Sequence, residues 1–534
     1  MSAPDRPATD AGVPPDGTDG TDGDSRSDVS VTRSDPPADD TAAGDSSDGT
    51  DGARRWVAVV TVVAMASWPF LSLMADNLDQ PLDMAVVRTW WLATLAGALV
   101  VLGIAMAFGR RVGAWAGGVL GVVLWLVFSL PTVLSLRDAI GSQVDDVVWW
   151  AMVAAPIVVV ATWLMRKVPM QRFVAIMAVA LAGMAAVPVA ADALDADAAT
   201  DDVGDAQPAA QASFTTTPDV WLIELDGLGS NDFMRERTGY DPAAFEQFLA
   251  DNGFDVQAEA TSNYPFTNLS IASTLMMDYL FTDGVDEPPA GPFFERLQGD
   301  NLTVETMRAN GYSYAHTYPG LWTGSKCSGV EDLCIGDTGS ITDTETALAT
   351  MSPLGELLTS RSQHEDVAIS NDPAHVAAQV IAADLPDPQF TFLHVLNPHP
   401  PLLRGADCGI REVDFTFSAW GEGEEYGDAV ECLHAQLQDA VDQILADDPD
   451  AVIIIQGDHG PRLGIDWTQP GGVFLDDDMH FSILSAMRLP AGCDVEAPDD
   501  MTPVNTFRIV TACLEGTEPD LLPNERFPIQ AERG

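Results

Sequence analysis

Lysine is nearly missing from this chain: two residues in 534, with 25 Lys+Arg in all against 80 Asp+Glu and a formal net charge of −55. A surface that tracks nucleic-acid phosphates needs clustered cations, so a basic nucleic-acid binder is excluded and no nucleic-acid partner is expected. Cysteine is absent from the first 326 residues; all six (Cys327, Cys334, Cys408, Cys432, Cys493, Cys513) follow. No Cys-x-x-Cys spacing occurs, which leaves a structural zinc knuckle without support. Aromatic residues are absent from residues 1–53, where 13 Asp and 3 Arg sit among Gly, Ser, Thr, Pro and Ala. Such a stretch has almost nothing to bury and is expected to be a disordered acidic tail.

What is present divides into segments suited to different solvents. Residues 54–191 contain apolar runs near 57–74, 89–108, 112–130, 147–164 and 173–190. Runs of about 18 or more apolar residues are long enough to cross a bilayer, so five transmembrane helices are expected. Arg54/Arg55, Arg110/Arg111 and Arg166/Lys167/Arg172 fall on one side of these spans, and only Arg88 and Arg137, among several Asp, on the other. The positive-inside rule then places the N-terminal tail in the cytoplasm and everything after the fifth span outside the cell, in a multi-pass membrane protein. Residues 192–217 form a linker rich in Ala, Asp and Thr, and 218–534 a single large outer domain. The small-residue stretch Val187-Pro-Val-Ala-Ala-Asp is a candidate processing site that would release that domain. Six cysteines, all on the oxidising side, suggest disulfides, and the sequence-local pairing 327–334, 408–432 and 493–513 is preferred. The acidity is spread along the outer domain rather than gathered in a block, which fits a hydrated surface in a salty milieu better than a cation-rich partner.

The outer domain reads as α/β. Pro218-Asp-Val-Trp-Leu-Ile-Glu-Leu-Asp226-Gly and Ala451-Val-Ile-Ile-Ile-Gln-Gly-Asp458-His459-Gly are short apolar runs that end in acidic turns, as buried strands of a mostly parallel sheet do. Ligands bind beyond the carboxyl ends of such strands, so Asp226, Asp458 and His459 make a candidate metal cradle, against the plain alternative that Asp-Gly and His-Gly are turn chemistry. Carboxylate plus imidazole suits zinc or manganese better than calcium. Between the two runs, Leu269, Ala272, Ser273, Met276 and Leu280 recur at helical spacing and put Thr267 at or near a helix N-cap. Its hydroxyl there either caps free N–H groups or acts as a nucleophile favoured by the helix terminus and a cation. In Phe390-Thr-Phe-Leu-His394-Val-Leu-Asn-Pro-His399-Pro-Pro, flanking prolines are expected to hold His399 in a rigid extended loop, available to an anionic oxygen or a leaving group. His394 reads as a core histidine, His316 and His480 as further substrate-binding candidates, and His364, His375 and His434 as surface residues. Glu224 is an acid in an otherwise apolar run, on the strand face of Asp226.

In order, the segments PDVWLIELDGLG, DNGF, SNYPFTNLSIASTLMMDYL, FTFLHVLNPHPP, IIIQGDHGPR and FSILSAMRLP resemble the sulfatase-like branch of the alkaline phosphatase superfamily over about residues 218–490. That resemblance implies one divalent cation, Mn, Zn or Mg, held by Asp226, Thr267, Asp458 and His459. It makes Thr267 the nucleophile and puts His399 on the transferred group. Arg462, by its place just after the Asp-His pair, is a further candidate for charge stabilisation and substrate contact. Membrane helices followed by an outer domain look like the plan of lipoteichoic acid synthases and phosphoethanolamine transferases. This implies a phosphotransferase or phosphoester hydrolase acting on a phospholipid or envelope glycan through a phosphothreonine intermediate. Two features depart from the pattern: Thr267-Asn-Leu-Ser-Ile stands where a sulfatase has Cys or Ser in C/S-x-P-x-R, and no second-metal Asp/His/His set is found. A sulfuric ester hydrolase and an inactive envelope scaffold of the same fold are the rival readings.

Overall fold

The computed structural model describes residues 47–78, 81–199, 213–281, 293–336, 342–353, 355, 361–411, 413, 420–421, 423–465, 473–475 and 478–531. Six helices come first: α1 (Ser47–Ala75), α2 (Met84–Ala107), α3 (Arg110–Val127), α4 (Leu130–Ala139), α5 (Asp146–Lys167) and α6 (Gln171–Ala199). Four stretches, Arg55–Ala75, Met84–Ala107, Asp146–Lys167 and Gln171–Leu194, are long and apolar enough to cross a membrane. The third expected run is broken: α4 leaves α3 at 60°, and the pair makes a fifth span only if counted as one. Pro131 explains the restart, since proline lacks an N–H and is accepted in the first turn of a helix but not in its interior.

Leu92, Val100, Ile104, Val159, Ile176 and Met184 are each more than half exposed, the surface expected of helices in lipid. Inside the bundle Ala58, Val62, Ala66, Ala98, Leu102 and Ala178 pack closely, small side chains letting the backbones approach. Helix α6 runs through the candidate processing stretch and takes in the first residues of the expected linker. Residues 1–46 of the expected tail and 200–212 of the linker lie outside the described residues.

The domain that follows the helices is built on a seven-stranded sheet in the order β2-β8-β6-β1-β5-β3-β4. Its strands are β1 (Val220–Leu225), β2 (Asp255–Val256), β3 (Ser313–Tyr318), β4 (Leu333–Gly336), β5 (Gln389–Val395), β6 (Val452–Gly457) and β8 (Ser485–Arg488); β7 (Val473–Leu475) and β9 (Ile529–Ala531) pair separately. β1, β3, β4, β5 and β6 run parallel, and β8 is antiparallel to both its neighbours. The central strands are buried throughout because both faces are covered. Trp221, Ile223 and Leu225 pack on one side with Leu249, Val380 and Leu437; Val220 and Leu222 pack on the other with Ile271, Leu275 and Phe507. The three disulfides are the sequence-local pairs.

One surface expectation fails. His434 is fully buried, stacked on Phe245 with centroids 3.9 Å apart and bonded through Nδ1 to Tyr240 Oη at 3.0 Å. It falls on the buried stripe Val430, His434, Leu437, Val441 of the helix Gly423–Asp447, so its position on the helix outweighed its polar neighbours. His375 is exposed, as expected, and the side chain of His364 lies outside the described residues.

Candidate active site

The chemistry-bearing residues collect at the C-terminal edge of the sheet. The backbone ladder continues one step past the strands: Asp226 N donates to Val395 O (2.9 Å) and Asp458 N to Leu225 O (3.2 Å). Both carboxylates therefore leave neighbouring strands at one level. The turn after β1 is held from two sides, with Tyr426 Oη donating to Gly227 O (2.7 Å) and accepting from Gly229 N (3.1 Å). Gly227 has φ +73° and lies under the Trp420 indole, where a Cβ would come within 2.3 Å of the ring.

Hydrogen bonding fixes which lone pairs face the centre. Asp458 Oδ1 accepts from Gly227 N and His459 N, both at 2.7 Å, while Oδ2 is buried with no hydrogen-bond partner. His459 Nδ1 lies 2.8 Å from Gly460 O, which can only accept, so Nδ1 carries the proton and Nε2 presents a lone pair. That Nε2 sits 3.6 Å from Asp226 Oδ1, 3.6 Å from Asp458 Oδ2 and 3.3 Å from Thr267 Oγ1. Thr267 Oγ1 is 3.5 Å from Asp226 Oδ1. Burial pushes both carboxylates well above the usual range, each opposed by the positive field of Arg462, and the Asp458 charge raises Asp226 further. Burial also holds His459 well below the ordinary imidazole value, again with help from Arg462.

Asp226, Asp458 and His459 fit a divalent cation. Two carboxylates and an imidazole lone pair converge in a buried space, and one carboxylate oxygen has no donor, an arrangement that is costly unless a cation shares it. Ligands bound at the usual zinc distances in tetrahedral geometry stand ~3.4 Å apart, close to the separations seen. Nδ1–H to a backbone carbonyl is the outer support that metal-binding histidines require.

Thr267 opens the helix Thr267–Met276, one place inside it; Phe266 holds the N-cap position, without a side-chain cap. The Thr267 hydroxyl thus faces Asp226 and His459 rather than its own helix terminus, and the capping alternative does not apply.

His399 lies in a turn, its N donating to Leu396 O at 2.6 Å, not in the extended loop expected from its prolines. Its Nδ1–H donates to Pro400 O (2.8 Å), and burial, with the Arg462 charge, lowers its pKa to about 3. Arg462 donates to Pro265 O (2.8 Å), rests on the Phe266 ring at 4.8 Å, and so sits beside the Thr267 turn. His480 is buried near enough to His459 to depress its pKa, and its carbonyl accepts from Gly460 N at 2.8 Å. His316 is not brought to the cluster: it is fully buried in β3, bonded through Nδ1 to Tyr314 Oη (3.2 Å) and tilted against Phe392. Glu224 is in register with His394 and Gln456 and accepts long bonds of 3.3 and 3.4 Å from Gln456 Nε2, in the body of the sheet.

Trp420 escaped the sequence reading. Its ring centroid lies 4.8 Å from that of His399 and 6.4 Å from that of His459, so one indole walls both imidazoles. Nothing in the local sequence Phe415-Thr-Phe-Ser-Ala-Trp420-Gly-Glu signals this.

Fold and site define a metal-site α/β domain carried behind membrane-type helices. Residues 218–507, more than half of the chain, match the family model described as Sulfatase, and the chain belongs to the sulfatase family. No curated protein matches it. Among solved structures it is similar to the integral membrane lipooligosaccharide phosphoethanolamine transferase A (EptA) from Neisseria meningitidis, at 10% identity and TM-score 0.36, covering 86% of this chain and 95% of that one. The C-terminal periplasmic domain of EcEptC from Escherichia coli in complex with Zn matches at 13% identity and TM-score 0.36, covering 57% and 84%. The phosphonate monoester hydrolase of Agrobacterium radiobacter matches at 16% identity and TM-score 0.38, covering 57% and 79%.

Proposed function

We propose that this chain is a membrane-anchored, metal-dependent phosphotransferase or phosphoester hydrolase of the sulfatase family. Its catalytic domain, residues 218–534, works outside the cell on envelope lipid or glycan substrates. The observation that carries this reading is the Thr267 hydroxyl, released from helix capping and turned to Asp226 and His459. Asp226, Asp458, His459 and Thr267 would hold one divalent cation, Mn, Zn or Mg, which when bound supplies Lewis-acid polarisation and favours the threonine alkoxide. Thr267 Oγ attacks phosphorus, the bond from phosphorus to the leaving oxygen breaks, and a phosphothreonine forms; water or an acceptor hydroxyl then resolves it.

His399 has its proton on Nδ1, committed to Pro400 O, so Nε2 first receives rather than gives. An anionic phosphoryl group beside it opposes the Arg462 field and raises the imidazole pKa, which makes protonation of the leaving oxygen feasible. Arg462 and the helix terminus supply the remaining positive charge. Thr267 cannot become a formylglycine, so sulfate esters are the disfavoured substrates.

The full-length protein, assayed on a chromogenic phosphodiester, phosphomonoester and sulfate ester with Mn, Zn or Mg and with a chelator, tests this. Chelator-sensitive release from a phosphorus ester, lost in Thr267→Ala, is expected. Sulfate release instead, or turnover by Thr267→Ala at the wild-type rate, defeats the assignment.

A further inference from the structure

The outer domain is fastened to the outer mouths of the membrane helices by a specific set of contacts. Asp83 caps α2, its Oδ1 accepting from Ala85 N (2.9 Å) and Val86 N (3.2 Å), and turns Oδ2 to Lys326 Nζ at 2.6 Å. Lys326 is the only lysine of the outer domain, and the Asp83 side chain it meets is only 11% exposed. Asp83 N donates to Thr344 Oγ1 (2.9 Å), in the outer helix Asp343–Thr350. Leu348 of that helix is buried with Phe70 and Leu73 of α1 and Val87 of α2. At the start of α4, Leu130 N donates to Met351 O at 3.4 Å. The end of α1 and the starts of α2 and α4 thus converge on one outer helix and one lysine.

The same lysine is tied to the catalytic edge. It follows β3 through the turn Thr323–Ser325, whose Ser325 Oγ bonds His394 Nδ1 on β5 at 2.8 Å. Trp322 packs edge-on against that imidazole with centroids 5.8 Å apart, and Asp343 N donates to Leu321 O at 2.7 Å. β5 runs on into the turn of His399. The fastening and the candidate site therefore share one edge of one sheet.

We propose that Asp83 and Lys326 are positioning residues that set substrate choice: their latch holds the catalytic edge toward the bilayer, so phosphoesters borne in a membrane are turned over in preference to the same chemistry free in water. This rests on the phosphoester reading above. A domain hinged only through its linker samples many orientations, and a membrane-borne ester meets the site only in the fraction that faces it. A soluble ester reaches the site in every orientation, so its turnover does not depend on the latch.

The test uses the full chain reconstituted in vesicles of phosphatidylethanolamine and phosphatidylglycerol. Diacylglycerol release reads the membrane arm and bis(p-nitrophenyl) phosphate the soluble arm. Lys326→Glu removes the cation, and Asp83→Asn removes the charge while keeping the α2 cap. Each single variant is expected to lower the membrane-to-soluble ratio of kcat/KM about tenfold, and Asp83→Asn combined with Lys326→Glu, which keeps the α2 cap, to lower it no further than Lys326→Glu alone. Amide exchange over 343–350 should rise in the singles and no further in the double variant. If Lys326→Glu loses both activities with exchange raised throughout the domain, it has misfolded and Asp83→Asn decides. A ratio unchanged in Asp83→Asn overturns the latch, as does a wild type active on the soluble ester alone; both leave the chemistry standing. Silence of the wild type on both esters defeats the phosphoester reading and the latch with it.

Discussion

The two edges of the seven-stranded sheet gather carboxylates in different ways. At the N-terminal edge Asp219, Asp384, Asp387, Asp447, Asp448 and Asp450 line a cleft of about 1040 Å³. Among the described residues the C-terminal edge gathers Asp226 and Asp458 beside His459. The more buried members of the larger set find backbone donors: Asp219 Oδ1 accepts from Gln389 N (2.7 Å), and Asp448 accepts from Asp219 N (3.0 Å) and Asp450 N (2.9 Å). The smaller set is buried, leaves Asp458 Oδ2 without a donor, and faces an imidazole lone pair. Unsatisfied burial, rather than the number of acids, marks the edge that calls for a cation.

The largest expected effect that separates the edges is on turnover. If Thr267 is the nucleophile, Thr267→Ala should lower kcat by at least about 10³ while metal content stays within about threefold of wild type, since Asp226, Asp458 and His459 remain to hold the cation. Comparable turnover in that variant would erase the chemical distinction. Next comes metal affinity, read as bound metal after dialysis against a competing chelator. Asp458→Asn should weaken it by about 100-fold, whereas Asp448→Asn at the far edge should leave it unchanged. Equal losses from both would mean that acid number does matter.

A smaller effect is expected at Trp420, whose ring lies beside the imidazoles of His399 and His459. Trp420→Ala should lower kcat about tenfold with little change in KM, and Trp420→Phe should recover most of it. The smallest effect belongs to the far edge. Burial, with the charges of Asp387, Asp448 and Asp447, raises the Asp219 pKa to about 6. The folded state therefore holds a proton that the unfolded state has released between about pH 4 and pH 6, and stability falls as pH rises through that window. Asp219→Asn should thus raise the melting temperature at pH 8, by the equivalent of about 1 kcal/mol or less after allowing for its partial exposure, and leave it unchanged below pH 4.

Much of the site was legible because apolar strands announce their own ends. Ile-Glu-Leu-Asp226-Gly and Ile-Gln-Gly-Asp458-His459-Gly place their carboxylates wherever the strands stop, and a parallel sheet stops them together. Thr267 was legible in place, but its position alone left cap and nucleophile both open, because a hydroxyl at a helix start caps in most proteins; only the family resemblance favoured the nucleophile, and the structure shows that it is not the cap. His434 was misread since its polar neighbours hid a buried helical stripe, and the bend before Pro131 was hidden inside an apolar run. Trp420 and the pairing of Asp83 with Lys326 were out of reach: both depend on contacts between segments distant in sequence, which no local pattern encodes.

The central claim, that Thr267 carries the transferred group, is tested most directly by peptide mass spectrometry. Wild-type protein would be acid-quenched during turnover of a phosphodiester in the presence of metal. A phosphoryl substituent on Thr267, absent in Thr267→Ala and absent when metal is chelated, is the predicted result. Sustained turnover with Thr267 unmodified, and with Thr267→Ala still active, would contradict the account.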